Sequence, residues 1–266
     1  MSPSDTRSAA VGLLFTPLVV GIAALVLPRV ELSSSAADFV VFTGATTTAV
    51  VALGIAARGY PRLYVRLTTV AVAALLLAVL AWRGATGRAL PIVVDAALVA
   101  AAWGIGTSIG RRIEHPGHLL PACVVVASAD AASVVSSFGP SHAIAESERA
   151  LSVVAIAFPV PGTTSFAPAL GVGDLVFVAL VLGAMAAHDL SITRGALLAW
   201  AGAMLAGLGS ALLAVPIPAL VPIAAAMVVG VPEARRVRAR EKRVAAVAMV
   251  IAVSVAAATI GSQLPH

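Results

Sequence analysis

Apolar stretches of a length that can cross a lipid bilayer recur along this whole chain. A membrane-spanning helix needs about 20 mainly apolar residues, because it rises ~1.5 Å per residue through a hydrocarbon core ~30 Å thick. Hydrophobic residues make up 60% of the chain and charged residues only 11%. The sequence therefore predicts an all-α fold, a polytopic transmembrane helix bundle of about nine spans. The predicted spans are 9–27, 39–57, 64–82, 90–110, 119–135, 168–187, 196–213, 216–231 and 244–260.

The distribution of lysine and arginine predicts the orientation of the bundle. Nine alternating spans put thirteen of the seventeen basic residues on the side of the N-terminus. Cytoplasmic loops are enriched in Lys and Arg, so the N-terminus and the loop 232–243 are predicted to be cytoplasmic and the long connection 136–167 to lie outside. The net charge of +5 then reflects the membrane surface and not binding to nucleic acid. We expect a multi-pass protein of the plasma or inner membrane. The four basic residues on the outer side are Arg29, Arg83, Arg88 and Arg149.

The remaining composition narrows the chemistry that this chain can perform. Its single cysteine, Cys123, lies inside a predicted span, so an intrachain disulfide and a cysteine-based metal site are excluded. The sequence has no glycine-rich phosphate loop and no His/Asp cluster with the spacing of metal ligands. We therefore predict no metal and no cofactor.

One carboxylate lies near the start of the sixth apolar stretch. Asp174 follows Gly171 and Gly173 within 168–187. A charge at membrane depth costs at least about 2.5–3.5 kcal/mol on insertion scales, so an intramembrane aspartate is a candidate functional residue. Glycines without a Cβ allow another backbone to approach closely. The pattern therefore suggests a buried carboxylate beside a surface that a peptide backbone can reach.

A second carboxylate, Asp130, lies in the preceding apolar stretch. Asp130 is about five residues before the end of 119–135, and Asp174 is about six residues after the start of 168–187. On antiparallel helices both carboxylates would lie roughly 8–9 Å from the same membrane face, at ~1.5 Å per residue. Hydrolysis of the aspartyl type needs at least two carboxylates at matched depth.

A third motif, Pro218-Ala219-Leu220, begins the eighth predicted span. The Gly-x-Gly-Asp of residues 171–174, the earlier Asp130 and this Pro-Ala-Leu occur in the order found in the presenilin and signal peptide peptidase superfamily, and the chain resembles a prokaryotic-type member of these GxGD intramembrane aspartyl proteases. The motifs cover roughly residues 90–230.

This resemblance implies an enzyme, an aspartic endopeptidase that cleaves peptide bonds within or near transmembrane helices of membrane-protein substrates in the lipid bilayer. It implies that Asp130 and Asp174 are the catalytic residues that activate water. Gly171, Gly173 and the Pro-Ala-Leu segment would support the active site and bind the locally unwound substrate.

The resemblance also suggests a division of the single transmembrane domain 1–266. Residues 1–88 would hold N-terminal spans, 89–231 the catalytic core, and 232–266 a basic loop and a C-terminal span. Two features depart from the family. Ala129 stands where the family usually has Tyr before its first aspartate, and a further span follows the Pro-Ala-Leu helix.

Other functions fit parts of the same pattern. Asp95, Asp130 and Asp174 would line the pathway of an ion- or proton-coupled transporter. The Ala129 departure leaves a catalytically inactive, presenilin-like scaffold open. A prepilin-peptidase-like enzyme also uses GxGD, but a basic residue would be expected soon after the aspartate, where this chain has Leu175-Val-Phe177.

The long connection 136–167 contains polar residues and one short apolar segment. His142, Glu146 and Glu148 are predicted to belong to a solvated loop. The segment 151–160 is too short to cross a bilayer as a helix, so it is an interfacial or re-entrant piece or a short strand.

Overall fold

The computed structural model describes residues 3–59, 62–83, 87, 89–135, 147–213, 215 and 217–261. Helices occupy most of these residues, and one pair of strands lies between two of the helices. Short 3₁₀ helices occur at Leu27–Arg29, Pro116–His118 and Pro232–Arg235. The α-helices are α1 (Pro3–Val26), α2 (Ser34–Ala56), α3 (Leu63–Arg83), α4 (Leu90–Gly110), α5 (Leu119–Val135), α6 (Glu148–Val154), α7 (Val172–Ala187), α8 (Ile192–Leu213), α9 (Leu220–Gly230) and α10 (Lys242–Gly261), and the strands are β1 (Ala155–Pro159) and β2 (Phe166–Gly171).

Seven of the described helices are long and apolar enough to cross a membrane, namely α1, α2, α3, α4, α5, α8 and α10. The apolar helices α7 and α9 are shorter, with 16 and 11 residues. Every predicted apolar stretch contains a helix, so the prediction of an all-α helical bundle is confirmed, with seven candidate spans among the described residues where about nine spans were predicted. Arg88, His142, Glu146 and Pro216 lie outside the described residues, and Glu148 begins α6.

The predicted start of the sixth span at 168 is wrong. Residues Phe166–Gly171 form β2, and the helix begins only at Val172. Pro168 has no backbone N–H to donate, and it pairs with Ala157 where the register of the two strands is irregular. Gly171 has extended backbone angles (φ −75°, ψ 155°) and is the N-cap of α7. The residues of β2 and of the start of α7 are both apolar, so mean hydropathy does not change at the boundary between strand and helix.

The strands β1 and β2 form an antiparallel hairpin. Paired residues run from Ala155 with Gly171 to Pro159 with Phe166. The hairpin packs against α1, α2 and α4, and the Phe158 ring lies against Gly44 of α2. One of the alternatives for the apolar segment 151–160, a short strand, is thus confirmed for 155–159. Because β2 directly precedes α7, the hairpin connects the start of α7 to α1, α2 and α4.

The centre of the bundle is the pair of helices α4 and α7, which pack against each other more extensively than any other two elements. Glycines make this close approach possible. A Cβ added at Gly106 or Gly110 would overlap the backbone of α7 at Val176 and Leu180. Leu175 and Leu182 of α7 are fully buried in the same core. The helix that carries Asp174 is therefore fixed to the middle of the molecule.

The helix α5 is attached differently. It packs mainly against α9 and α10, and its contacts with α7 are few. At its start, the His118 ring pairs with the Glu241 carboxylate at 2.7 Å. The helix α9 in turn packs against α8, where Gly202 lies against the backbone of Ile223. The helix that carries Asp130 thus belongs to a peripheral set formed by α5, α9 and α10.

Candidate active site

Asp174 lies at the junction between β2 and α7. It is the third residue of the helix, and its Oδ2 accepts a hydrogen bond from the backbone N–H of Gly171 at 3.2 Å. This is the side-chain half of a capping box, in which a first-turn carboxylate reaches back to the N-cap. The positive end of the helix dipole also favours a negative charge at this position. The strand-to-helix turn therefore fixes the direction of a half-buried carboxylate.

Asp130 is held by the Pro-Ala-Leu segment. Its Oδ2 accepts a hydrogen bond from the backbone N–H of Leu220 at 2.9 Å. Leu220 is the first residue of α9, so its N–H has no partner within the helix, and Asp130 satisfies it. Residues separated by ninety positions in the sequence are thereby joined. Pro218 and Ala219 are half-buried beside this contact.

The two carboxylates lie close enough to interact electrostatically. Asp130 is near the C-terminal end of α5 and Asp174 near the start of α7, so both lie toward the same end of the bundle. Each is half-buried, and each has one oxygen engaged by a backbone N–H. The structure therefore brings together Asp130, Asp174 and Leu220, which the sequence analysis placed in one site.

Open space adjoins Asp174. Gly173 is exposed, and a Cβ added there would have no atom within 4 Å. A Cβ added at Gly171 would lie 3.5 Å from Asp174 Oδ2. Ala129, at the position where the family usually has Tyr, is also exposed and adds little bulk. Among the described residues, no side chain therefore crowds the Gly173 side of Asp174.

The chemistry of this site comes from carboxylates and backbone groups. Among the described residues, no group of three or more His, Cys, Asp or Glu side chains is placed to hold a metal ion. Cys123 is buried, as its position within an apolar stretch predicted. The arrangement suits proton transfer between two carboxyl groups and a water molecule.

A third aspartate has a partner that the sequence did not indicate. Asp95 of α4 is 1% exposed, and its Oδ1 accepts a hydrogen bond from the Ala157 N–H of β1 at 2.9 Å. Its Oδ2 has no hydrogen-bond partner within the described part of the chain. Ala157 lies at the irregular point of the hairpin, opposite Pro168. Asp95 therefore ties the hairpin to α4, the helix that also holds α7.

Replacing Asp95 tests this tie directly. Asp95→Leu removes the acceptor of the half-buried Ala157 N–H, and a backbone donor left without a partner costs about 1–3 kcal/mol. We expect amide hydrogen exchange in peptides from 155–171 to become at least about fivefold faster, while peptides from α8 exchange as in the wild type. Asp95→Asn keeps a carbonyl oxygen and should exchange nearly as the wild type does. Unchanged exchange in the Asp95→Leu hairpin would contradict the role.

Comparison with known proteins finds no match, whether with family models, with curated proteins or with solved structures. The proposed function therefore rests on the residues of this chain and their geometry.

Proposed function

We propose that this chain is an intramembrane aspartyl protease with a presenilin-like arrangement, and that Asp130 and Asp174 are its catalytic residues. The observation that carries the proposal is the hydrogen bond from the Leu220 N–H to Asp130, whose helix α5 contacts α7, the helix that carries Asp174. Three motifs that are far apart in the sequence supply this one cluster. An aspartate used only for packing would not need a second carboxylate on a contacting helix.

The mechanism follows from two carboxyl groups that cannot both ionise easily at close range, and that therefore share one proton. The ionised group takes a proton from water, and the water oxygen attacks the carbon of the scissile carbonyl. The protonated group donates its proton to the carbonyl oxygen. Collapse of the tetrahedral intermediate breaks the C–N bond: the leaving nitrogen takes a proton from the first carboxyl group, and one hydroxyl of the intermediate returns a proton to the second carboxylate. The products are a carboxylic acid and an amine.

The backbone hydrogen bonds orient this chemistry. One oxygen of Asp130 is held by Leu220 N–H, and one oxygen of Asp174 by Gly171 N–H. We assign the other oxygen of each carboxyl group to the shared proton and the water. Because these donors belong to the backbone, they hold the carboxylates without adding a titratable group to the site.

The hairpin supports an extended substrate. Within the described residues, β2 pairs with β1 along one edge only, and it ends directly before α7, whose third residue is Asp174. A peptide strand added to the other edge would form main-chain hydrogen bonds and would deliver its next peptide bond to the carboxylates. The absence of a side chain at Gly173 leaves space for that bond. The substrate class is thus a transmembrane helix that unwinds locally into a strand.

A cleavage assay tests the proposed function. The purified protein in detergent would be incubated with a peptide that contains a single transmembrane helix, and the products would be identified by mass spectrometry. We expect a new carboxyl terminus within or near the helix. A peptide analogue with a hydroxyl-bearing tetrahedral carbon in place of the scissile carbonyl should inhibit cleavage, because it resembles the intermediate. Failure to cleave a panel of such peptides would favour the inactive scaffold.

Ion- or proton-coupled transport is the second candidate function. Its specific support is Asp95, a deeply buried carboxylate with one oxygen that has no partner among the described residues. The other oxygen of Asp95 accepts a hydrogen bond from the Ala157 N–H of β1, so the same carboxylate also has a structural role. A proton flux into vesicles that hold the purified protein would support this candidate.

Thiol labelling on intact cells tests the predicted orientation. In a Cys123→Ser background, a cysteine at Ser147 or at the exposed Thr164 of the hairpin turn should react with an impermeant reagent, and one at the exposed Ala239 should not. The expectation rests on the bias of Lys and Arg toward the cytoplasm. Labelling at 239 alone would reverse the orientation, and labelling on both sides would change the number of spans between them. Permeabilised cells, in which every position should react, are the control.

A further inference from the structure

A groove runs along the outside of the bundle between α2 and α8. It has a volume of about 360 Å³, within the ~300–1,000 Å³ typical of ligand pockets. Its walls are almost entirely apolar, and its floor is formed where Gly54 of α2 and Ala196 of α8 meet. None of the residues that carry the proposed protease chemistry lines it. The groove is therefore separate from the candidate active site.

The two ends of the groove differ. At one end, the guanidinium of Arg58 donates a hydrogen bond from Nη2 to the Thr193 hydroxyl at 3.2 Å. At the other end, the indole N–H of Trp200 donates to the Thr47 hydroxyl at 2.9 Å, a contact that joins α8 to α2. The groove thus has a cationic mouth at Arg58, and Trp200 bridges its other end.

The length of the groove matches one leaflet of a bilayer. Thr47 and Arg58 are eleven residues apart on α2 and the turn after it, which corresponds to roughly 16 Å at ~1.5 Å per residue. Half of a hydrocarbon core ~30 Å thick is about 15 Å. A chain that starts at the Arg58 end and stops at Trp200 therefore has the length of one acyl chain in one leaflet.

The charge at the mouth favours an anion. Arg58 is exposed, and Arg194 is exposed in the first turn of α8 at the same end. Among the described residues, neither arginine has a carboxylate within 4 Å, and the nearby Asp189 of the α7–α8 turn forms no ion pair. One hydrogen bond to Thr193 leaves Arg58 with further N–H donors that fit a phosphate group.

We propose that the α2–α8 groove binds an anionic glycerophospholipid, with one acyl chain between Gly54, Ala196 and Leu197 and the phosphate at Arg58. Basic pockets between transmembrane helices are suited to such head groups. The acyl chain of the bound lipid would fill the space between α2 and α8, and its phosphate would neutralise the positive charge of Arg58. This inference does not depend on proteolytic activity.

Native mass spectrometry of the delipidated, purified protein tests the proposal with two probes, dioleoylphosphatidylglycerol and dioleoylphosphatidylcholine. We expect the wild type to bind phosphatidylglycerol about fivefold more tightly, the effect of about one arginine at a membrane surface. Arg58→Gln should bring phosphatidylglycerol to the level of phosphatidylcholine. Arg240→Gln, which removes an exposed arginine far from the groove in sequence, should keep the preference. Soluble glycerol phosphate should not compete, because it has no acyl chain.

A second variant tests the apolar part of the groove. Val51→Trp fills it, so the adducts of both lipids should be lost, whereas Val250→Trp on the exposed face of α10 should retain them. Equal binding of the two lipids by the wild type would overturn the proposal, as would identical behaviour of Arg58→Gln and Arg240→Gln. Competition by glycerol phosphate would overturn the acyl-chain assignment. Arg58→Gln alters the charge at the mouth and Val51→Trp alters the space in the groove. If one of these variants misfolds, the other still tests the proposal.

Discussion

Asp174→Asn and Asp130→Asn should each lower the rate of peptide-bond cleavage by about 10³-fold or more, because proton transfer by a positioned carboxyl group contributes ~10²–10⁴-fold. An amide can neither take the proton of the attacking water nor share a proton with the remaining carboxylate. The measurement is the initial rate of cleavage of a transmembrane peptide by the purified variants. Asp38→Asn, at an exposed aspartate near the start of α2, is the matched control and should cleave at the wild-type rate.

The same variants should fold normally. Asn keeps a carbonyl oxygen that can accept the hydrogen bond from the Leu220 N–H or the Gly171 N–H. The backbone donors at the starts of α9 and α7 therefore keep their partners. Removing a charge that is partly buried beside another carboxylate should leave the thermal midpoint unchanged or raise it. If either asparagine variant, purified as a monodisperse protein, still cleaved the peptide, the paired-aspartate mechanism would be excluded.

Gly110→Ala should destabilise the protein strongly, although it adds only one methyl group. The new Cβ would overlap the backbone of α7 at Leu180 and Ala184, and backbone atoms cannot move aside as a flexible side chain can. Overpacking costs about 1–3 kcal/mol, and more where the backbone must shift. We expect a thermal midpoint in detergent several degrees below that of the wild type, or loss of the monodisperse protein.

The control for this substitution is Gly21→Ala in α1, where an added Cβ has no atom within 4 Å. Alanine is a better helix former than glycine by about 1 kcal/mol, so this variant should be neutral or slightly stabilised. If Gly110→Ala matched Gly21→Ala in thermal midpoint, the close glycine packing of α4 against α7 would not hold in the folded protein.

Local features of the sequence predicted most of the helices correctly. Hydropathy is a property of a short window, so the stretch 90–110 coincides with α4 and 119–135 with α5. The strand β2 was missed because its residues 166–171 are apolar and run directly into α7, and a short apolar run has no period that separates strand from helix. Pro168 was the signal available, since proline disfavours a helix interior.

The candidate site was predictable where a motif supplied it, and not where partners are distant in sequence. Asp130, Asp174 and Leu220 were placed together because three motifs occur in one order. The contact between Asp95 and Ala157 joins residues 62 positions apart, and neither belongs to a motif. The groove between α2 and α8 likewise depends on which helix faces are left uncovered, a property of packing that no single stretch encodes.

The two carboxylates are on helices with different packing partners. Asp174 is on α7, which packs most extensively against α4, whereas Asp130 is on α5, which packs mainly against α9 and α10. That peripheral set is fastened to the core largely where Gly202 of α8 touches the backbone of Ile223 in α9. The buried residues of α5, α9, α4 and α7 nevertheless belong to one hydrophobic core. We therefore expect the separation of Asp130 and Asp174 to depend on how α9 packs against α8, at a contact that contains neither aspartate.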